Sequence, residues 1–515
     1  MKKNTLINGA LSLTVSVLIV KVLGVLYKVP LSYILTDVGM GYFNTAYCIY
    51  GVFYVISTAG VPKAITCVIA ENDMTNPGTG HIIYKHSLRL FTLIGAALSV
   101  LYLASSPFLV NILGNEKALY TVMLIGPSIL FVSTGGVCRG YLSSKGVLIP
   151  IAVSQALEAV MKLVFGVLFA VLGSQLNLDI KHISALAITG ITIGSAVSSI
   201  FMYLYIKIKF NELITRQNIS INKRLINVNI FKIALPITLG AAVLTCGNLI
   251  DVGLIMNSFS SKGITSSEAN ELYGNYSTLA VPMINLITSL VAPITVAMLP
   301  RLIELRTAAK SIEIKREVER DCYLTSLFIC PCASVLFFYS FDVLDVLFSS
   351  PQSLKGYQPL AILALGVLFL AVLNVLNTAH EAMGHFYIPI ISILIGMGVR
   401  IALSVLFINK FNYGINSIPL STTISYFISF MISLLLLNKN GVSVSLFKSV
   451  LTPSALSVVC FGIPYFYIYK NGILGGGFMA FFSCNLLSFL FYCSMLALII
   501  MSIKRQKCNY KQKNS

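Results

Sequence analysis

The chain has 515 residues, 57% of them hydrophobic and only 10% charged, with a mean hydropathy of +0.86. A soluble domain carries about 25% charged residues, so this composition excludes a soluble globular protein and requires a membrane-resident chain. The formal charge of +18 is no nucleic-acid footprint either, because the cations lie mostly in alternate loops between apolar stretches, as membrane topology dictates.

Hydropathy predicts about fourteen spanning helices. The first, 6–34, runs past signal-peptide length without a small-residue cleavage site and is expected to be retained. It carries Lys21 and Lys28. A cation at mid-bilayer depth costs about 2.5–3.5 kcal/mol, so such residues face a cavity or a partner. Seven residues make about two turns, about 10.5 Å along one helix face. The two lysines therefore point the same way and suit an anion. Snorkelling to a headgroup is the alternative, and fits Lys28 better than Lys21.

Spans at 43–69, 88–113, 119–140, 148–173 and 184–207 follow. Arg139, in Cys138-Arg139-Gly140-Tyr141, ends the fourth. It reads as a phosphate ligand or as a plain positive-inside anchor. Gln155, Glu158 and Lys162 share one face of the fifth. Glu158 and Lys162 have the i,i+4 order that favours an ion pair; that face either packs as a neutral pair or lines the same cavity and touches substrate.

A basic loop, 207–232, leads to the seventh span, 230–256. Asp251 is its deep carboxylate. It reads as a coupling-cation or proton site, as a partner for a lysine, or as a neutral buried acid. An eighth span, 272–299, precedes a charged connector, 300–321, expected to be an amphipathic helix on anionic headgroups. Spans at 322–348, 358–382, 387–408, 416–437, 450–469 and 478–502 complete the chain. Arg400 lies well inside the eleventh and must face a cavity or an acid. The eleven cysteines are scattered without metal spacing, and read as small buried hydrophobes rather than disulfide partners.

Lys and Arg crowd one set of loops: Lys85 and Arg89, Arg139 and Lys145, Lys207 to Lys232, Arg301 to Arg320, and Lys504 to Lys513. The opposite set holds only Lys117, Lys181, Lys262, Lys355, Lys410 and Lys470. This bias predicts both termini in the cytoplasm. There is also an internal echo. Tyr42-Phe-Asn-Thr-Ala-Tyr47 is answered by Tyr273-Gly-Asn-Tyr-Ser-Thr278, and Arg139-Gly-Tyr with Ile149-Pro150 by His380 to Pro389. Such repeats mark transporters with a site between two halves. The expected division is a first lobe at 1–210, a second at 211–440, and 441–515 with two added helices and a basic tail.

KVLGVLYKVPLSYIL, YGVFYVISTAGVPKAI, CRGYLSSKG with SQALE, LPITLG with NLIDVGLI, and LYGNYSTLAVPMINL resemble the stage V sporulation protein B group. That group lies in the polysaccharide-transport branch of the multidrug/oligosaccharidyl-lipid/polysaccharide exporter superfamily. The resemblance covers about residues 5 to 500. It implies an all-α polytopic membrane protein: fourteen helices, two pseudo-symmetric six-helix lobes around a central cavity, and two C-terminal helices. It further implies alternating access and flipping of an undecaprenyl-diphosphate-linked precursor, lipid II-like, across the bacterial cell membrane in peptidoglycan, spore-cortex or polysaccharide synthesis. In its lipid II flippase branch, cations on the first helices hold the diphosphate, places that Lys21 and Lys28 resemble. A carboxylate on the seventh helix can form a cation site, which Asp251 resembles.

The expected function is thus a flippase, with Lys21, Lys28, Arg139, Gln155, Glu158, Lys162 and Arg400 toward substrate and Asp251 toward a coupling ion. No cofactor is expected; Na+ or H+ coupling or the membrane potential would drive the cycle. Expected partners are the lipid-linked diphosphate, membrane lipids and cell-wall synthesis proteins, with the chain itself a monomer. The alternatives are a cation-coupled multidrug antiporter, which wants acids where span one has lysines, and a non-transporting scaffold, which gives deep charges no purpose. No GxxxxGK[ST] motif and no catalytic constellation is present, so neither an ATP motor nor an enzyme is expected.

Overall fold

The computed structural model is helical, with no strand among the described residues. These are residues 3–513 apart from 76–77, 211–221, 309, 349, 386, 446 and 474–476; side chains are described between 19 and 496, with a few further gaps. Residues 211–221 of the expected basic loop at 207–232, and the side chains of the tail cations, lie outside them. Helices prevail because hydrocarbon offers backbone amides no partner, so each span must satisfy its own.

Helix α1, Lys3–Thr58, bends at Thr36, whose φ of 57° and ψ of 175° break the helical path one and a half turns after Pro30. Next come α2 (Val61–Thr75), α3 (Thr79–Ile112), α4 (Leu119–Ile125), α5 (Ser128–Ser144), α6 (Ile149–Gln175), α7 (Ile180–Phe210) and α8 (Lys223–Ser260). The asparagine side chain of Asn222 caps α8 by accepting from the Leu225 amide at 3.2 Å. A Thr265–Glu268 capping box starts α9, Ser266–Asn275, which runs into a wide-turned segment, Tyr276–Ala280. Then follow α10 (Val281–Thr288), α11 (Ala292–Thr307), α12 (Ser311–Phe338), α13 (Ser340–Leu347), α14 (Ser350–Ala382), α15 (Tyr387–Asn409), α16 (Ser417–Lys439), α17 (Thr452–Pro464) and α18 (Phe478–Lys513).

Among the described residues, twelve helices are long and apolar enough to cross a membrane, against the roughly fourteen that hydropathy predicts. The difference sits in two places. Ile19–Asp73 forms one apolar stretch of 55 residues, where a bilayer needs about 20. The expected span at 272–299 is cut into α9, the wide turn, α10 and the start of α11, at Pro282 and Pro293, which cannot donate to a helix.

The chain divides into two compact units: Met1–Thr278 with Ile401–Ile418, and Leu279–Arg400 with Pro419–Ser515. The first unit buries an apolar cluster that includes Ile65, Ile83, Tyr141 and Ile230, and many small polar residues beside it. Its buried positions are often small and hydroxylated, such as Ser87, Ser106, Ser133, Ser154, Ser184 and Ser195, whereas Leu93, Val100 and Phe108 are exposed. Lipid solvates large apolar groups as well as a core does, so small residues that let helices approach take the interfaces. The α6–α7 contact shows the result. A Cβ on Gly190 would stand 2.5 Å from the Gly166 nitrogen, so any side chain there would drive the helices apart.

In the second unit, α12 packs on α14 and α17, and α17 on α18. Tyr339, fully buried, meets Tyr465 and Tyr469 edge-on at 5.0 and 5.1 Å. The charged connector expected at 300–321 is not a helix of its own. It is the end of α11, which stops at Thr307, and the first turns of α12, which starts at Ser311. Glu317 is buried and bridges Arg301 at 2.8 Å and Arg320 at 2.5 Å, with both arginines about half exposed.

Candidate functional site

The first unit gathers the sequence-predicted cations of spans one and five. Lys28, half-buried on α1, donates to Asn44 Oδ1 at 3.0 Å and to the Ser277 carbonyl at 2.9 Å. Lys162, on α6, holds its ammonium 4.8 Å from the Tyr47 ring centre and 5.0 Å from that of Tyr27. The two ammonium groups lie close enough to repel each other. Lys21 is exposed, and it acts electrostatically on the Tyr47 hydroxyl. None of the three lysines forms an ion pair among the described residues.

Tyr27 explains how α1 and α6 hold this register. Its ring is buried in a notch at Gly166, where a Cβ would lie 2.5 Å from the tyrosine oxygen. The hydroxyl donates to the Ala187 carbonyl of α7 at 3.2 Å. One side chain thus pins three helices, and its face supports the Lys162 ammonium. A cation over such a ring gains about 0.5–2 kcal/mol, more as water is excluded.

The expected Glu158–Lys162 ion pair is not the one formed. Glu158 pairs instead with Arg139 of α5, at 3.5 Å. The aromatic faces satisfy Lys162, which leaves the carboxylate to the guanidinium; Glu158 still acts on Lys162 through space. Tyr54 lies against the Arg139 guanidinium. Gln155 is half-buried one turn before Glu158.

Asp251 is 3% exposed. It acts electrostatically on Cys48 and on Tyr273, whose sulfur and hydroxyl are 3.2 Å apart. Arg400 is buried on α15 in the second unit.

Sequence reasoning missed the tyrosines and the amides. Tyr47, Tyr50 and Tyr54 recur at i, i+3, i+7, the spacing that drew attention to Gln155, Glu158 and Lys162. Their rings follow one another at 6.3 and 5.6 Å. The two echoed motifs also prove to be in contact. Asn44 donates to Thr278 Oγ1 at 2.8 Å; outside the motifs, Asn115 and Asn270 exchange amide hydrogen bonds at 2.7 and 3.0 Å. Gly274 makes this possible, since a Cβ there would meet the Asp37 carbonyl at 2.1 Å.

The arrangement is a wall on one unit, cationic over Lys21, Lys28 and Lys162 and charge-balanced over Arg139 and Glu158. Its three lysines can neutralise a polyanion of compact size.

The profile of the polysaccharide biosynthesis protein family matches residues 6–306. Stage V sporulation protein B of Bacillus subtilis (strain 168) is 22% identical over 393 residues, 74% of this chain and 75% of that protein. Among solved structures, a lipid II flippase MurJ in an inward closed conformation superposes with a TM-score of 0.73 at 16% identity, covering 95% of this chain and 99% of that one. An inward-facing multidrug resistance MATE family transporter of the MOP superfamily gives 0.66 at 13%, covering 81% and 98%. Both share its fold. The chain is a multi-pass, all-α membrane protein and belongs to the polysaccharide biosynthesis protein family.

Proposed function

We propose that this family member is a flippase, not an enzyme, that carries a lipid-linked saccharide diphosphate across the bacterial cytoplasmic membrane by alternating access. One observation carries the reading: Lys28 and Lys162 approach each other from two helices, with Lys21 acting on the same Tyr47, and none of the three forms an ion pair among the described residues. Ammonium groups held out of bulk water and near each other cost several kcal/mol. A diphosphate supplies the missing counter-charge and makes the loaded wall stable. The polyprenyl tail stays in lipid throughout.

On this reading the chain forms fourteen helices, as lobes at 1–210 and 211–440 with two helices added at 441–515, and both termini lie in the cytoplasm. Arg139 and Gln155 face the substrate from the cytoplasmic mouth, and Arg400 serves the second lobe. The carrier on this reading is undecaprenyl, and the glycan a peptidoglycan or spore-cortex precursor; the likeness to a sporulation protein and to a lipid II flippase supports that choice. Asp251 takes the role of a Na+ or H+ site. The membrane potential, negative inside, assists by drawing the unloaded cationic wall inward, at about 2.3 kcal/mol per charge per 100 mV.

Purified protein in liposomes tests this. Lipid II and other undecaprenyl-diphosphate saccharides are offered, and the fraction reaching the far leaflet is followed. Lys21→Ala and Lys28→Ala are each expected to slow flipping by roughly tenfold or more, the loss of one charge-assisted contact. Full activity in both would remove the diphosphate clamp. Drug efflux without lipid movement would favour the antiporter reading.

A further inference from the structure

The wall changes character along its length. Around Lys28 and Lys162 it is cationic with no acid paired to it. Toward Arg139 it becomes neutral and aromatic. Glu158 cancels Arg139 at 3.5 Å, and the Tyr47–Tyr50–Tyr54 ladder runs alongside. A carboxylate in that half repels a bare phosphate, so a second anion subsite is the wrong description of it. The chemistry suits a neutral, hydroxyl-rich ring. The apolar C–H face of a sugar stacks on an aromatic face, while a carboxylate accepts from its hydroxyls and a guanidinium donates to them.

We propose that the Tyr47–Tyr54 ladder with Glu158 and Arg139 is a saccharide subsite, reading the first sugar of the lipid-linked substrate while the lysines hold its diphosphate. The proposal rests on the flippase reading and specifies which part of the wall meets which part of the substrate. Three further observations support it. Tyr47 is 42% exposed although its ring already contacts the Lys162 ammonium, so the same side chain touches the anion half and offers free aromatic surface. Arg139 spans the two sides of this half, bonded to Tyr54 of the ladder and paired with Glu158 by one long contact, and its Nε has no acceptor, so the guanidinium retains donor capacity for a ligand. From Lys162 to Gln155 the helix rises about 10 Å, room for a sugar beside the diphosphate rather than on top of it.

Two probes separate the halves: undecaprenyl diphosphate, and the same lipid bearing N-acetylglucosamine. Their affinities for the full-length protein in detergent are measured by equilibrium binding of radiolabelled lipid. The wild type is expected to prefer the sugar-bearing lipid by about tenfold, the scale of one stacked ring with its hydrogen bonds. Tyr47→Ala and Glu158→Gln should bring that ratio toward one. Tyr47→Phe, which keeps the ring, should retain most of it. Lys28→Ala should weaken both probes alike and leave the ratio standing. Equal wild-type affinities would overturn the saccharide subsite while the diphosphate reading stood; so would a Tyr47→Ala protein that lost both probes in equal measure. Failure to bind either probe would sink the flippase reading itself.

Discussion

At the scale of single residues, burial of polar groups is the costliest commitment this chain makes, and several buried groups are matched to partners far away in sequence. The Asn115–Asn270 pair shows the logic. Both side chains are fully buried, and each amide gives and accepts across the contact; Asn115 also donates to Thr45 Oγ1 at 2.8 Å. Truncating one member strands the other. Asn115→Ala is therefore expected to cost about 1–3 kcal/mol, read as a lower midpoint of thermal unfolding in detergent, while Asn115→Ala with Asn270→Ala together should cost less than the sum of the single losses. The same accounting applies to Lys28, which is tied to a carbonyl 249 residues away. That partner is a backbone atom, so no substitution at Ser277 removes it, and nothing in local sequence marks it as a lysine ligand.

At the scale of elements, close approach and bending are set by a handful of positions. Gly190 faces the Gly166 backbone, and Gly190→Val should separate α6 from α7 and abolish recovery of folded protein. Gly398, on α15, has no atom near its missing side chain, so Gly398→Ala in the same assay should match the wild type. The bend of α1 follows a different rule. Thr36 adopts a positive φ that a β-branched residue resists; Thr36→Gly should therefore raise the unfolding midpoint, by relief of about 1–2 kcal/mol. A rise in stability accompanied by a fall in flipping would mean that the strained bend serves the transport cycle. Hydropathy placed both lysines on the first span but ended that span at 34 and began the next at 43, so its break falls across Thr36, where the structure instead carries one bent helix through. An averaged window marks the interruption but not the residue whose dihedral makes it.

At the scale of the whole molecule, the charge distribution makes a prediction about driving force. If the unloaded wall carries its lysine charges through part of the membrane field, a negative-inside diffusion potential should accelerate repeated flipping in liposomes. Each charge that crosses the full field contributes about 2.3 kcal/mol per 100 mV, so Lys28→Gln should flatten the voltage dependence as well as lower the rate. A rate indifferent to potential in the wild type would leave Asp251 and a coupling ion as the drive. Asp251→Asn should then remove the dependence on a Na+ or H+ gradient.

Composition and hydropathy settled the class of this protein without help. The free energy of moving a segment into hydrocarbon is nearly a sum over its own residues, so a linear reading recovers it; the motif series likewise placed the chain in its family. Only the tertiary structure decided which groups meet. It paired Glu158 with Arg139 rather than with the lysine one turn away, set Lys162 between two tyrosines of another helix, folded the 300–321 charges onto one another, and put Asp251 beside Cys48 and Tyr273. Those choices depend on how helices pack against one another, through glycine notches and buried amides, and such energies belong to pairs of distant residues rather than to any one stretch of sequence.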